Sequence, residues 1–376
     1  MTETADAVVV GAGPAGSAAA TLLAGYGRKV LLLDKDSFPR PKVCGEFLSA
    51  DAVPSLERLG ARDAVLRATA ERMTRGTFHL PSGRAVPFAL PEPAIGISRL
   101  CLDDLLARRA RDAGADVRFG ARVLAAAPAG TGGFVVRVVE RSAESFIETR
   151  AVIGAWGRWD ALDRSLDRGF LRGSPYFGWS RDYENAGPSL EGEVRLYLFA
   201  GGYCGLSRVE GGAINLAGVI SETAWKRAGG GWSGVLLAAR RSNAALDAAL
   251  SGLAPGPVGF LGTGPVFFTA KPPVENGILM AGDAAGVLDP FSGEGMSAAL
   301  ASGILAADVV ERGFAGDLSR DESARVYETE WRRRFARRFA WSAAFRRLIL
   351  HPTIGAVAGR LAGEKLVRFA ISATRR

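Results

Sequence analysis

Apolar positions along the chain fall into short continuous runs and into alternating segments, and the two patterns predict different strands. The run Asp6-Ala-Val-Val-Val10 predicts a buried parallel strand, the alanine-rich stretch Ser17 to Leu23 predicts a helix, and Val30-Leu-Leu-Leu33 predicts a second buried strand. Asp116–Phe119, Arg122–Ala127, Phe134–Glu140 and Phe146–Ile153 read as short strands parted by glycine-rich or polar turns. Gly192–Phe199, Tyr203–Arg208 and Ala213–Ile220 alternate enough to form an antiparallel sheet, with Tyr176, Phe177, Trp179, Tyr197, Phe199 and Tyr203 gathered around it. Such aromatics suit a face for a large apolar or aromatic ligand or, more commonly, a packed core. A last apolar strand begins at Asn276 and runs into Gly282-Asp283, and an uncharged helix follows over Ser297–Ala307.

With 376 residues, 48% hydrophobic and 23% charged, the chain can bury one large core or two ordinary ones. Its 48 glycines have no fixed period, so they act as punctuation. Three widely spaced cysteines, Cys44, Cys101 and Cys204, support neither a disulfide framework nor a zinc site and fit a reducing cytoplasm. Only two histidines, His79 and His351, argue against metal centres and Ser-His-Asp hydrolysis. The acidic start, Met1 to Asp6, lacks the basic region of an export signal. Ala7 to Gly27 is uncharged, but its glycines and proline form a motif, so no transmembrane helix is expected.

That motif is Gly11-Ala-Gly13-Pro-Ala-Gly16, set between a strand and a helix. In this context Gly11 makes a tight turn, Gly13 lets the backbone approach a diphosphate, and Gly16 lets the helix pack closely. The helix N-terminus adds N–H groups and a favourable dipole. Asp34 closes the second strand 23 residues beyond Gly11, where an acid meets a ribose hydroxyl. A chance glycine-rich turn would not carry strand, helix, second strand and acid in register. The motif predicts a dinucleotide site without separating NAD from FAD.

A second glycine-rich element lies about 270 residues on, Gly282-Asp-Ala-Ala-Gly-Val-Leu-Asp-Pro-Phe-Ser-Gly-Glu-Gly295. The pair resembles the FAD-binding elements of the para-hydroxybenzoate hydroxylase-like flavoproteins. With Pro39-Arg-Pro-Lys-Val-Cys-Gly45 it is similar to the geranylgeranyl reductase group within them. The resemblance implies an α/β fold of two domains, a Rossmann-type FAD domain with an inserted antiparallel sheet for substrate and C-terminal helices. The corresponding boundaries are 1–75, 98–160 and 265–320 for the FAD domain, 76–97 and 161–264 for the substrate domain, and 321–376 for the helical region. It also implies that Asp283 bonds the ribityl or ribose region and that Gly293, Gly295 and Met296 offer N–H groups to the flavin N1/O2 edge. Arg99 would contact the phosphates. Further cofactor contacts are implied for Pro14, Ala15, Lys35, Arg40, Cys44, Gly45, Val123, Gly282 and Pro290.

Three departures limit what the resemblance transfers. Glu46 stands where the reductases usually have glycine, and Cys-Gly-Glu is more often seen in flavin halogenases. Ala155-Trp-Gly157-Arg-Trp159 replaces an Asp-Gly element. Of the reductase pattern Y-x-W-x-F-P only Tyr203 survives, and the halogenase W-x-W-x-I-P is missing. The expected activity is reduction of a C=C in a lipophilic isoprenoid- or polyketide-like substrate, with Cys44 and Tyr203 as proton donors. The alternative is an FAD monooxygenase acting on an aromatic or olefinic compound, although Gly286 stands where the hydroxylases commonly have histidine. A halogenase or an electron-transfer flavoprotein are lesser alternatives.

Gly262-Thr-Gly-Pro-Val-Phe267 lacks a third glycine, so NAD(P)H has no second Rossmann motif and would dock transiently or be replaced by a protein donor. The net charge of +8 resides at one end, with 14 Lys+Arg against 5 Asp+Glu from Arg320 onward. In the stretch Trp331–Arg347, the arc holding Trp331, Phe335, Phe339, Trp341 and Phe345 also holds Arg334, Arg338 and Arg346. This mixture predicts a helix packed over the FAD domain, with its arginines snorkelling or ion-paired, ahead of peripheral membrane contact. Nucleic-acid binding is not expected, because no recognition fold accompanies the charge.

Overall fold

The computed structural model describes residues 3–69, 71–130, 132–169, 175–184 and 190–350. Two eight-stranded sheets organise it. The first centres on strand Glu3–Val10, which pairs in parallel with Val30–Asp34 on one side and Ala143–Gly154 on the other. Ile278–Met280 and Asp116–Phe119 extend the parallel order at the two flanks. Ala121–Pro128 and Phe134–Glu140 form an antiparallel meander leading into Ala143–Gly154. The strands around Glu3–Val10 are nearly all apolar because the layer is buried in one core with helices Pro14–Gly25 and Gly295–Phe314 and with the meander.

Helix Pro14–Gly25 starts with proline at its first turn, where no intrahelical N–H bond is lost. It crosses helix Gly295–Phe314 at close range, and a β-carbon on Gly303 would collide with the Ala15 carbonyl. Helix Arg99–Asp112 is capped by Ser98, whose hydroxyl accepts the Cys101 N–H at 3.0 Å.

The second sheet runs in the order Pro255–Gly262, Tyr176–Tyr183, Ile214–Ser221, Gly202–Arg208, Glu193–Phe199, Arg72–His79, Ala85–Gly96, Phe47–Leu48. It reaches past the expected boundary at residue 76, because Arg72 and the Phe47–Leu48 strand pair with Ala85–Gly96. Helices Trp232–Ser242 and Ala244–Leu250 pack on one of its faces.

Helix Arg320–Leu350 lies over the first layer. Tyr327, Trp331 and Phe335 join its core, and the Tyr327 hydroxyl donates to the Met280 carbonyl at 2.6 Å. Its basic residues are shared among partners: Arg332 pairs with Glu328, Arg333 and Arg334 with Glu330, and Arg338 covers the Phe335 ring. Residues 351–376, including His351, lie outside the described residues. Among the described residues no helix is long and apolar enough to cross a membrane.

Candidate flavin and substrate site

The strands of the first sheet end at Val10, Asp34, Gly154 and Met280, and the site opens where their loops diverge. Gly11 turns the chain with φ of 103°, pressed against Ala155. A β-carbon on Gly16 would collide with the Gly11 carbonyl, which locks turn and helix together. Gly13 is different: a β-carbon there would meet only Arg99 Nη2, at 3.7 Å. The glycine spacing thus encodes two tight contacts and one opening.

Asp34 is buried and joins the glycine loop to the second strand. Its Oδ2 accepts the Ala12 N–H at 2.7 Å and its Oδ1 the Asp36 N–H at 2.9 Å. Its four lone-pair directions leave room for a ribose hydroxyl as well. Lys35, Arg40, Val123 and Trp156 line the same cleft. Lys35 Nζ donates to Asp160 at 2.7 Å, and Arg40 stands 3.7 Å from Asp34.

This cleft adjoins a larger cavity at Gly13, Lys42, Ala155 and Arg158, which line both. Cations gather at the junction. Arg99 makes a bidentate pair with Asp103 at 2.6 and 2.7 Å, and Arg158 lies 3.8 Å from Asp283. Burial, together with repulsion from Arg99 and Arg40, brings the Lys42 ammonium down to about 8. Several positive groups facing open backbone at a helix N-terminus call for an anion, and a diphosphate fits that demand. The residues present therefore suit a dinucleotide cofactor.

At the far end, Pro290–Ser292 makes a short turn, Gly293 adopts φ of 68°, and helix Gly295–Phe314 begins. Gly45 and Gly295 have no atom within 4 Å of a β-carbon position, so both leave space in the cavity wall. Gly282, Asp283, Pro290 and Met296 also border that cavity. Asp289 is the residue that sequence reasoning passed over here, although it stands within the second motif. It is buried, and its Oδ1 accepts the Tyr203 hydroxyl at 2.6 Å and the Phe291 N–H at 3.0 Å. Arg346 approaches it to 3.5 Å, and its own N–H donates to Ser342 Oγ at 3.0 Å. Burial pushes both the Asp289 carboxyl and the Tyr203 phenol up.

The second sheet supplies the apolar wall through Phe78, Phe88, Leu90, Val194, Leu196 and Phe291 beside its strands. The aromatic group expected around this sheet is split by the two-residue period of its strands. Tyr203 borders the cavity, whereas Tyr197 and Phe199 pack into the core beneath the helices. Phe177 stacks on Trp225, and Tyr176 leans on Phe268.

Cys44, Gly45 and Glu46 are tied to this sheet. Asn215 Nδ2 donates to the Cys44 carbonyl at 2.9 Å, and Ser207 Oγ donates to the Gly45 carbonyl at 3.1 Å. Burial pushes the Cys44 thiol up, which keeps it neutral. Of the two expected proton donors, Tyr203 already commits its hydroxyl proton to Asp289, and Cys44 is a weak acid. Glu46 takes φ of 53°, and its Oε1 accepts the Arg99 N–H at 2.9 Å. Burial raises its carboxyl to about 8.

Adjoining cavities that run from an acid-closed strand end, past clustered cations, to a second helix N-terminus beside an apolar wall define a flavin-dependent oxidoreductase. A family profile described as FAD binding domain matches residues 4–178. Over 375 residues the chain is 30% identical to the menaquinone reductase of Mycobacterium tuberculosis, covering 93% of this chain and 85% of that protein. It is also 30% identical over 342 residues to digeranylgeranylglycerophospholipid reductase 1 of Methanopyrus kandleri, covering 88% and 86% respectively. The chain belongs to this family of FAD-dependent reductases. The fold is shared more widely: the structure of a myxobacterial chondrochloren halogenase superposes with a TM-score of 0.81 at 23% identity, covering 91% of this chain and 82% of that one.

Proposed function

We propose that this protein reduces a carbon–carbon double bond in a lipophilic, isoprenoid-like substrate. The observation that carries this reading is the wall of Phe78, Phe88, Leu90, Val194, Leu196 and Phe291, which shares one cavity with Gly293, Gly295 and Met296. Such a wall binds hydrocarbon by removing it from water, at about 25 cal/mol per Å² buried. The names of the two reductase relatives point to the same substrate class.

Bound FAD supplies a hydride from its reduced ring. The chain would hold the cofactor through Lys42, Arg99 and Arg158, which would neutralise its diphosphate beside Gly13, and through Asp34, which would take a ribose hydroxyl near Lys35, Arg40 and Val123. The start of helix Gly295–Phe314 offers N–H groups and its positive dipole end to the flavin edge that becomes negative on reduction. Asp283 would bond the ribityl or ribose region of the cofactor. The wall excludes water and aligns the double bond with the flavin. Electrons arrive from transiently docked NAD(P)H or from a protein donor, and the three free thiols suit a reducing cytoplasm.

The test is to reduce the holoprotein anaerobically and mix it with a polyprenyl alcohol, whose only reducible groups are its C=C bonds. Flavin reoxidation with a product carrying two added hydrogens is the expected result. Turnover that occurs only with labelled O₂, with the label in the product, would replace this reading with a monooxygenase.

A further inference from the structure

We propose that the Glu46 carboxyl delivers the proton that accompanies hydride transfer in this site. The inference rests on the reductase reading above and assigns a step within it. In that step hydride forms a C–H bond at one olefinic carbon while the π pair takes the Glu46 proton at the other. Reduced flavin is thereby oxidised, and Glu46 is left as a carboxylate that water reprotonates.

Glu46 borders the cavity in company with Cys44, Gly45, Phe47 and Gly293. It is held there at a backbone angle of 53°, in the left-handed region that side-chain-bearing residues rarely adopt. Strain of this kind persists only where the surroundings impose it, and here they do so from several directions. The Glu46 carbonyl accepts the Ile97 N–H at 3.2 Å, and its N–H donates to Cys44 Sγ at 3.4 Å. The preceding carbonyls are held by Asn215 and Ser207 from the second sheet. One carboxyl oxygen, Oε1, takes the Arg99 N–H at 2.9 Å. The segment is therefore pinned between the second sheet and the start of helix Arg99–Asp112, and one oxygen is placed by a backbone donor while the other can carry a proton.

The charges around it favour the acid form. Asp103 on helix Arg99–Asp112 and Glu210 beyond strand Gly202–Arg208 both disfavour a carboxylate at Glu46. The Arg99 guanidinium opposes them, but it is already paired in bidentate fashion with Asp103. Glu210 is likewise engaged, accepting from the Ser98 N–H at 2.8 Å and from its hydroxyl. Cys44, on the same segment, stays neutral. With burial as the dominant cause, Glu46 titrates at about 8, so it enters the reaction protonated at neutral pH and is acidic enough to give the proton up.

The variant to make is Glu46→Gln, which keeps the acceptor for the Arg99 N–H and removes the acid. With the FAD-loaded protein, bound flavin and the rate of flavin reduction by dithionite should match wild type. Reoxidation by a polyprenyl alcohol, an olefin without a quinone ring, should slow about 100-fold and lose its fall above pH 8, consistent with the usual worth of a positioned acid. Independently of turnover, infrared difference spectra without substrate should show a carboxylic acid band in wild type at pH 7 that fades above pH 8 and is missing in the variant. A variant that reoxidises at the wild-type rate, or a wild type without that band, overturns the assignment. If wild-type flavin itself is not reoxidised by the olefin, both proteins fail alike and the reductase reading falls, taking the acid role with it.

Discussion

Lys42 and Tyr203 show how one side chain at this site acts through its surroundings. Because Lys42 sits near 8 in the folded protein against an ordinary 10.5, the unfolded chain holds a proton between those values that the native protein releases. Its contribution to apoprotein stability therefore rises with pH across that window. A diphosphate favours the charged form, so FAD affinity should fall as pH climbs past about 8, as read by flavin fluorescence titration. Lys42→Ala should weaken FAD by roughly 10- to 100-fold and flatten that dependence, in line with about 1.5–3 kcal/mol for a hydrogen bond to a charged group. Tyr203→Phe removes the hydroxyl that Asp289 accepts and should lower stability by about 1–3 kcal/mol, visible as a fall in Tm. Gly13 was expected from the glycine motif, and Arg99 and Gly295 were implied by the resemblance; all three border the cavity. The charge states of Lys42 and Glu46 and the part of Asp289 were not foreseen, because they depend on neighbours such as Arg99, Glu210 and Tyr203 that are far away in the chain.

The helices and strands behave as their local patterns require, and their contacts are where substitutions should tell. Helix Gly295–Phe314 meets helix Pro14–Gly25 through Gly303, which has no room for a methyl group. Gly303→Ala should cost about 1–3 kcal/mol by overpacking and separate the two glycine loops, so thermal melting and FAD content should fall together. In the second sheet the aromatics divided by parity: Tyr197 and Phe199 point to the helix-covered face, whereas Leu196 borders the cavity. Alternation alone gave two faces without saying which one a helix would cover. That choice belongs to helices Trp232–Ser242 and Ala244–Leu250, whose own pattern carries no address on the sheet.

The fold as a unit places helix Arg320–Leu350 over the FAD layer and beside the substrate cavity. Tyr327, Trp331 and Phe335 bury themselves in the first core, while Ser342 and Arg346 reach the Asp289 loop and Arg346 covers Tyr176 and Phe268. A chain ending at residue 319 should expose this apolar surface and self-associate, as light scattering would report. Soluble, monodisperse protein with full FAD content from that truncation would contradict the packing role of the helix. The mixed arc of aromatics and arginines, puzzling for a one-sided surface helix, makes sense in this position. Trp331 and Phe335 enter the core with Phe339 packed against it, and its arginines find Glu328, Glu330, Asp289 and aromatic rings.

The amino-acid order was enough for the nucleotide-binding layer, the FAD pair of glycine motifs and the family. These rest on backbone constraints and burial periods that act over a few residues, and such short-range rules survive in a linear reading. The chemistry of the cavity was settled by packing. Whether Tyr203 has a free proton, whether Glu46 stays protonated and which aromatics face substrate all follow from burial and from charges contributed by remote segments. Those quantities exist only once Cys44–Glu46, Glu210 and Asp289 share one low-dielectric space.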